Sequence, residues 1–364
     1  MLKKYGYLTL IIIFILLLFP LQAGPAIELK PWTKSAAKLS DSFFTTKAAK
    51  KIGNNCIYVQ SEYGGFPKNV FIPELNKYEK NKLDKRKIKR RVYYSTLDND
   101  ATTTEITYLS RLYNATEQTK YKKSALKGID FIFESQFPNG CFAQAYLAKG
   151  SYQGQISFND DSTINVMNLL KKISQKQKPF EYINDTIANK AKYAYENGIN
   201  CILKTQISQN GCPSAWAQHY DKETLQVCQG RKFEPAAIVG GKESANIVLF
   251  LMDIEKPSQE IIKSVDDAVA WFEKSKIKNV KIKYFLNDGN NPDIVLEKCT
   301  DCPPIWARFY DIKTNQPIFG SKDEKIHSDI RELKRFERLG YDWYSTKPAK
   351  VLKKYPEWKK ENSK

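Results

Sequence analysis

Three short turns recur along the chain at a nearly constant interval, and they constrain its fold more than any other feature. They read "SEYGGFPKN" (61–69), "SQFPNGCFAQAY" (135–146) and "TQISQNGCPSAWAQHY" (205–220). Each combines a Gln or Glu, a glycine and an aromatic, and Gly65, Gly140 and Gly211 lie 75 and 71 residues apart. A repeat of that length marks like units that bury their apolar faces on one another. Between the turns, apolar residues fall at helical spacing: Ile106, Leu109, Leu112 and Tyr113, then Leu126, Ile129, Ile132 and Phe133. Val166, Leu169, Leu170 and Ile173 follow, then Ala188, Ala191, Tyr195 and Ile202, and Ile247, Val248, Leu251 and Met252 before Ile261, Val265, Val269 and Phe272. The pattern predicts an all-α fold. One helix leaving a turn and one returning make a unit, and three units close into an incomplete (α/α)3 toroid or barrel. Gly-rich loops and short irregular or β segments would surround its central cleft. In such an array every second helix presents its N-terminus to the same rim.

Small acidic clusters stand at that rim. "TLDNDATTTE" (96–105), "FNDDS" (158–162) and Glu243 in "GGKESANIV" each precede or open a predicted helix. Two readings compete. Asp, Asn, Ser and Thr accept hydrogen bonds from the unpaired N–H groups of a first helical turn. Thr102 to Glu105 reads as a capping box, and Asp161 or Ser162 is placed to cap the next helix. Asp98 and Asp160 are then left over, one repeat apart across the cleft. Two such carboxylates suit a hard cation such as calcium, which takes oxygen ligands.

These clusters sit in a chain of 364 residues and net charge +18. The excess is concentrated. Residues 76–91, "NKYEKNKLDKRKIKRR", hold nine basic and two acidic residues, and the tail from Ser345 holds seven lysines and two glutamates. Such patches solubilise a chain or attract a polyanion. No nucleic-acid motif accompanies them, so an acidic polysaccharide is the expected partner, and no nucleic acid. The opening "MLKKYGYLTLIIIFILLLFPLQA" has two lysines, a short apolar run and Ala23, and reads as a signal peptide over residues 1–23. Retained as an anchor, it would tie the protein to a membrane; cut, it leaves a secreted, extracellular or periplasmic protein, expected as a monomer. The remaining limits are a lead-in over 24–60, a catalytic domain over 61–345 and a basic tail over 346–364. Seven cysteines permit disulfides and leave at least one over. Cys299-Thr-Asp-Cys302 lacks the second pair that a zinc site needs and reads as a loop disulfide or free thiols.

The segments "LDNDATTTEITYLSRLY", "SQFPNGCFAQ", "ISFNDDSTINVMNLL", "WAQHYDKETL", "ESANIVLFLM", "WARFYDIKTNQPIFGSKD" and "RLGYDWY" occur in the order found in family ten of the polysaccharide lyases. The chain resembles these pectate lyases of α/α type from about Gly64 to Tyr344. The resemblance implies β-elimination of α-1,4-linked polygalacturonate with calcium, giving 4,5-unsaturated oligogalacturonates. It places the metal-holding aspartates at Asp98 and Asp160, the base at Arg231 in "CQGRKFEP", and a substrate-carboxylate arginine at Arg308. A second substrate arginine of the family is Lys322 here, which keeps the charge and loses the bidentate fork. A guanidinium base implies an alkaline optimum and a local depression of its pKa. Cys141 and Phe142 stand where the family has Gly and Trp after "PNG".

Each role has a structural competitor. Arg231 beside Lys232 reads equally as a surface arginine, and Arg308, between Trp306 and Phe309, as a guanidinium packed on a ring. His219 is expected to make a structural hydrogen bond. The aromatics Tyr63, Phe66, Phe142, Tyr146, Trp216 and Tyr220 are expected mainly to line the toroid's interior. A non-catalytic uronate-binding protein on the same fold, or a toroid glycoside hydrolase with two carboxylic acids, are the alternative functions.

Overall fold

The computed structural model describes residues 32–89, 94–209, 211–287 and 289–362. The expected signal segment lies outside them. Nine helices carry the argument: α1 Lys47–Val59, α2 Lys77–Lys89, α3 Thr103–Thr116, α4 Thr119–Glu134, α5 Ser162–Ser174, α6 Asp185–Lys204, α7 Lys242–Met252, α8 Gln259–Ser275 and α9 Pro348–Asn362. Helices α3/α4, α5/α6 and α7/α8 are consecutive pairs packed on each other. The first members α3, α5 and α7 form an inner row, and α4, α6 and α8 an outer one. The expected (α/α)3 toroid is present, with α1 packed on its first pair and α9 on its last.

The repeat is written in hydrogen bonds. Gln60, Gln136 and Gln206 each donate twice through Nε2: to a carbonyl of the Gly-containing turn (Gly64, Gly140 or Ser214), and to an outer-helix carbonyl (Ser124, Ala194 or Ser264), all at 2.8–2.9 Å. Gly64 and Gly140 have positive φ, and a Cβ on either would strike the Lys127 or Asn197 carbonyl of the outer helix. Only glycine meets both conditions. The disulfide Cys141–Cys201 ties the second turn to α6, which accounts for a cysteine after "PNG". Cys299 and Cys302 form the loop disulfide.

The outer helices α6 and α8 start at ordinary N-caps, Asn184 accepting from Ile187 N and Ser258 from Ile261 N. The inner helices do not. Helix α3 has the expected box, Glu105 accepting from Thr102 N at 2.8 Å. Helix α5 has no side-chain cap: Ser162 turns back to the Ser157 carbonyl, and Asp161 pairs with Lys242 at 2.7 Å. The capping role expected of those two residues is not taken up, because the turn needs them elsewhere.

The main core lies between the two helical rows. Phe66, Phe142, Trp216 and Tyr220 are buried, and Tyr63 and Tyr146 partly so, so the aromatic stripe is mainly interior. A smaller β lobe is built mainly from the chain after α8, with one strand from before α7. It contains an antiparallel hairpin of Val280–Leu286 with Pro292–Lys298, and a four-stranded sheet in the order Ile326–His327, Pro317–Gly320, Phe309–Tyr310, Ile238–Val239. The basic stretch at 76–91 is largely the exposed helix α2. The basic tail is helix α9, which buries Val351 and Trp358 against the toroid. Packing therefore extends beyond the expected 61–345 on both sides.

Candidate active site

The acidic clusters open α3 and α5 through two turns of the same backbone shape. Leu97 (φ −97°, ψ 0°) and Phe158 (φ −102°, ψ −1°) enter them, and Asn99 and Asp160 (φ 53° and 50°) and Asp100 and Asp161 (φ 61° and 60°) follow. Asp98 therefore corresponds to Asn159, and Asp160 to Asn99. The expected one-repeat match of Asp98 with Asp160 is shifted by one residue, since the segment from Asp100 to α3 is longer than that from Asp161 to α5. Two successive left-handed non-glycine residues at each of two packed turns store strain of the kind found at functional sites. The third unit has Gly240-Gly241-Lys242 here, so a lysine replaces an acid and reaches back to Asp161.

Asp98 is 1% exposed. Its Oδ2 accepts from the Lys68 ammonium, and its Oδ1 has no partner. Asp160, half-buried, accepts from its neighbour Asn159 at 2.9 Å. An orphaned, buried carboxylate oxygen, in a turn packed against the turn that carries a second carboxylate, supplies oxygen donors of the kind a hard cation takes. Among the described residues no three His, Cys, Asp or Glu side chains gather, so most of such a cation's shell would come from water and substrate.

From Asn159 a continuous polar chain runs to both arginines. Asn159 Oδ1 accepts from Gln218 Nε2 and from Arg308 Nη2 at 3.4 Å, and Arg308 Nη2 also donates to Glu243 at 2.6 Å. Gln218 Nε2 reaches Glu234 Oε1 at 3.3 Å, which accepts from Tyr341 Oη at 2.7 Å and Arg231 Nη2 at 2.5 Å. Tyr341 lies between the guanidiniums, 4.4 Å from Arg308 and 5.5 Å from Arg231. Arg308 is thus both ring-packed and ion-paired. Burial opposes its charge most strongly, and Glu243 with Tyr341, Asp160 and Glu234 together more than restores it, so its pKa is raised. Arg231 is raised too: burial works most strongly against the charge, and the hydrogen bond to Glu234, its charge, and the nearby Tyr341 and Tyr152 together outweigh it. This reverses the expected depression, since the nearest group is a carboxylate and not a cation. Burial pushes Glu234 up, but Arg231 and Tyr341 hold it down at about 2.

The structure brings Asp160, Arg231 and Arg308 into one network and Asp98 into the adjoining turn. It does not bring in Lys322, whose ammonium lies over exposed Phe336 at 4.8 Å. His219 lies under the Arg231 loop, against Gly230 and 5.4 Å from the Tyr152 ring. Neither ring nitrogen meets a partner at close hydrogen-bonding geometry, and the backbone of Ile156 is the polar group that faces the ring. Glu234, Tyr341, Gln218, Asn159, Lys68 and Lys242 were not singled out from sequence. The signals were present: Glu234 follows Arg231 by three residues, and Asn159 and Lys68 stand inside quoted motifs.

The profile of the pectic acid lyase family matches residues 60–352. The chain belongs to that family. The lyase is similar, at 25% identity and a TM-score of 0.74, to the family 10 polysaccharide lyase from Cellvibrio cellulosa, over 91% of this chain and 96% of that one. It is similar, at 24% identity and the same TM-score, to an aspartate-to-alanine mutant of the Cellvibrio cellulosa enzyme in complex with trigalacturonic acid, over 91% and 97%. No curated relative matches the lyase. It is a polysaccharide lyase of α/α-toroid type.

Proposed function

We propose that the protein is an exported pectate lyase that cleaves polygalacturonate by calcium-assisted β-elimination, with Asp98 and Asp160 holding the metal, Arg231 as base and Arg308 on the substrate carboxylate. The observation that carries this reading is the buried, unpartnered Asp98 oxygen at a strained turn beside Asp160 and the two-arginine network. The relative's complex with trigalacturonic acid supports the substrate class. The proton to be removed lies on C5, beside the uronate carboxylate, and is weakly acidic. When bound, calcium would draw charge out of that carboxylate and stabilise the enolate-like transition state. Arg308, fixed by Glu243 and Asn159, offers a pre-set donor to the same carboxylate without reorganising. Arg231, once deprotonated, takes the C5 proton; the C5–H electrons form the C4–C5 double bond as the C4–O bond breaks, and the leaving oxygen takes its proton from water.

Glu234 holds Arg231 protonated in the resting arrangement, so proton acceptance requires that hold to weaken and favours alkaline pH. Lys322, over Phe336, would act on substrate only after moving. The same Glu234–Arg231 pair favours the second reading, a non-catalytic uronate binder in which Arg231 only grips carboxylates. The test is absorbance of the unsaturated product on polygalacturonate at alkaline pH. A rise abolished by chelator in the native protein, and lost in Arg231→Ala, is expected. Polymer binding without any rise would establish the binder instead.

A further inference from the structure

The basic tail finds a role beside the arginine network. Helix α9 is two-sided. One face presents Val351, Tyr355 and Trp358 to the toroid, with Tyr355 Oη donating to Asp266 at 2.8 Å. The other face turns Lys350 and Lys353 toward a cavity of about 670 Å³, a size typical of ligand sites. That cavity is lined both by Arg308, Glu243 and Lys242 and by Lys347, Lys350 and Lys353. Arg308 and Lys242 are ion-paired with Glu243 and Asp161. Among the described residues the three tail lysines have no ion-pair partner, and the one further carboxylate on the wall is Asp342. Lys350 and Lys353 are one turn apart on the helix, about 5–6 Å between Cβ atoms, so they form a short row of cations in the cavity that Arg308 also lines.

We propose that this face of α9 forms additional subsites, in which Lys350 and Lys353 bind the carboxylates of uronate units beyond the one held at Arg308. The tail thereby sets a preference for longer acidic chains. This rests on the uronate reading of the Arg308 site and concerns only how far the binding cleft extends.

The test uses the full chain with Lys350→Gln and Lys353→Gln together, since glutamine keeps helix propensity and removes charge. Binding of trigalacturonate and hexagalacturonate is measured by calorimetry without calcium, and kcat/KM on both with calcium. The expected result is a loss on the hexamer about tenfold larger than on the trimer, from two exposed charge contacts. The matched pair Lys354→Gln and Lys360→Gln, on the same helix outside the cavity, is expected to change the two ligands equally. A loss independent of chain length, or an equal length-dependent loss in the control pair, overturns the proposal. If hexamer binding shows the expected pattern while no unsaturated product forms, the subsites stand and the lyase reading falls. If neither oligomer binds the native protein, both fall.

Discussion

Residues 216–224 and 306–314 are two copies of one hairpin, "WAQHYDKET" and "WARFYDIKT", and of the four positions at which they differ the two buried ones, third and fourth, lie at the arginine network. In each copy the Trp indole donates to the end of an outer helix, Trp216 to the Ile202 carbonyl at 2.7 Å and Trp306 to Phe272 at 2.9 Å. In each, the Tyr hydroxyl accepts from the Ala N–H three residues back, at 2.6 Å for Tyr220 and 3.0 Å for Tyr310. The third position delivers Gln218 in one copy and Arg308 in the other, and both donate to the same oxygen of Asn159. The fourth position is His219 in one and Phe309 in the other, both buried. A frame that repeats bond for bond has been given chemistry by single side-chain choices.

The largest effect is expected from erasing the third-position difference. Arg308→Gln removes the pre-set donor to the uronate carboxylate and should lower the elimination rate about 10²–10³-fold. It also leaves Glu243 buried without its cation, a loss of about 3 kcal/mol of stability. Adding Glu243→Gln should restore the unfolding midpoint and leave the rate low. If the double variant recovered the rate, Arg308 would be only a counter-ion.

The fourth position predicts a pH effect. Burial dominates at His219 and, against the opposing pull of Glu234, depresses its pKa from about 6.5 to about 4. A buried base with a depressed pKa stabilises the fold fully above its unfolded value and loses that contribution as pH falls between the two. Native protein should therefore lose roughly 3 kcal/mol from this group between pH 6.5 and 4. His219→Phe, which copies Phe309, should remove that slope. Denaturant unfolding at pH 7 and pH 4 checks it, and a gap between variant and native protein that is the same at both values would refute it.

How much of this was legible in the sequence follows from what each feature depends on. The toroid was legible because helical periodicity and glycine spacing are local patterns, and the Gln60, Gln136 and Gln206 clamps recur with them. The hairpin repeat could also have been read, since "WA", the Tyr and the Asp-x-x-Thr stand at equal offsets. Asp98, Asp160, Arg231 and Arg308 came from motif order. Their surroundings did not, because Glu234, Tyr341 and Gln218 meet only when segments up to 123 residues apart converge. The one-residue shift between the acidic turns was hidden because the letters align Asp with Asp whereas the backbone aligns Asp98 with Asn159. The direction of the Arg231 pKa was missed for the same reason as its partner: a carboxylate three positions on becomes a strong neighbour only when the loop folds it back.

The smallest effect should be identical in the two copies. Asp221 Oδ1 accepts from Glu223 N, Thr224 N and Thr224 Oγ1, at 2.8–3.0 Å. Asp311 Oδ1 does the same with Lys313 N, Thr314 N and Thr314 Oγ1, at 2.7–3.0 Å. The Thr backbone hydrogen bond is the leading cause of a lowered pKa in both. Asp221→Ala and Asp311→Ala should each cost about 1 kcal/mol, as loss of a side-chain cap does. A carboxylate with a depressed folded pKa contributes above its unfolded value and loses that contribution as pH falls, so both costs should shrink together in acid. The two sites share no partners, so the costs should add in the double variant. Unequal losses would mean that Arg308 has reshaped its own hairpin, and that the frame and its chemistry are not separable after all.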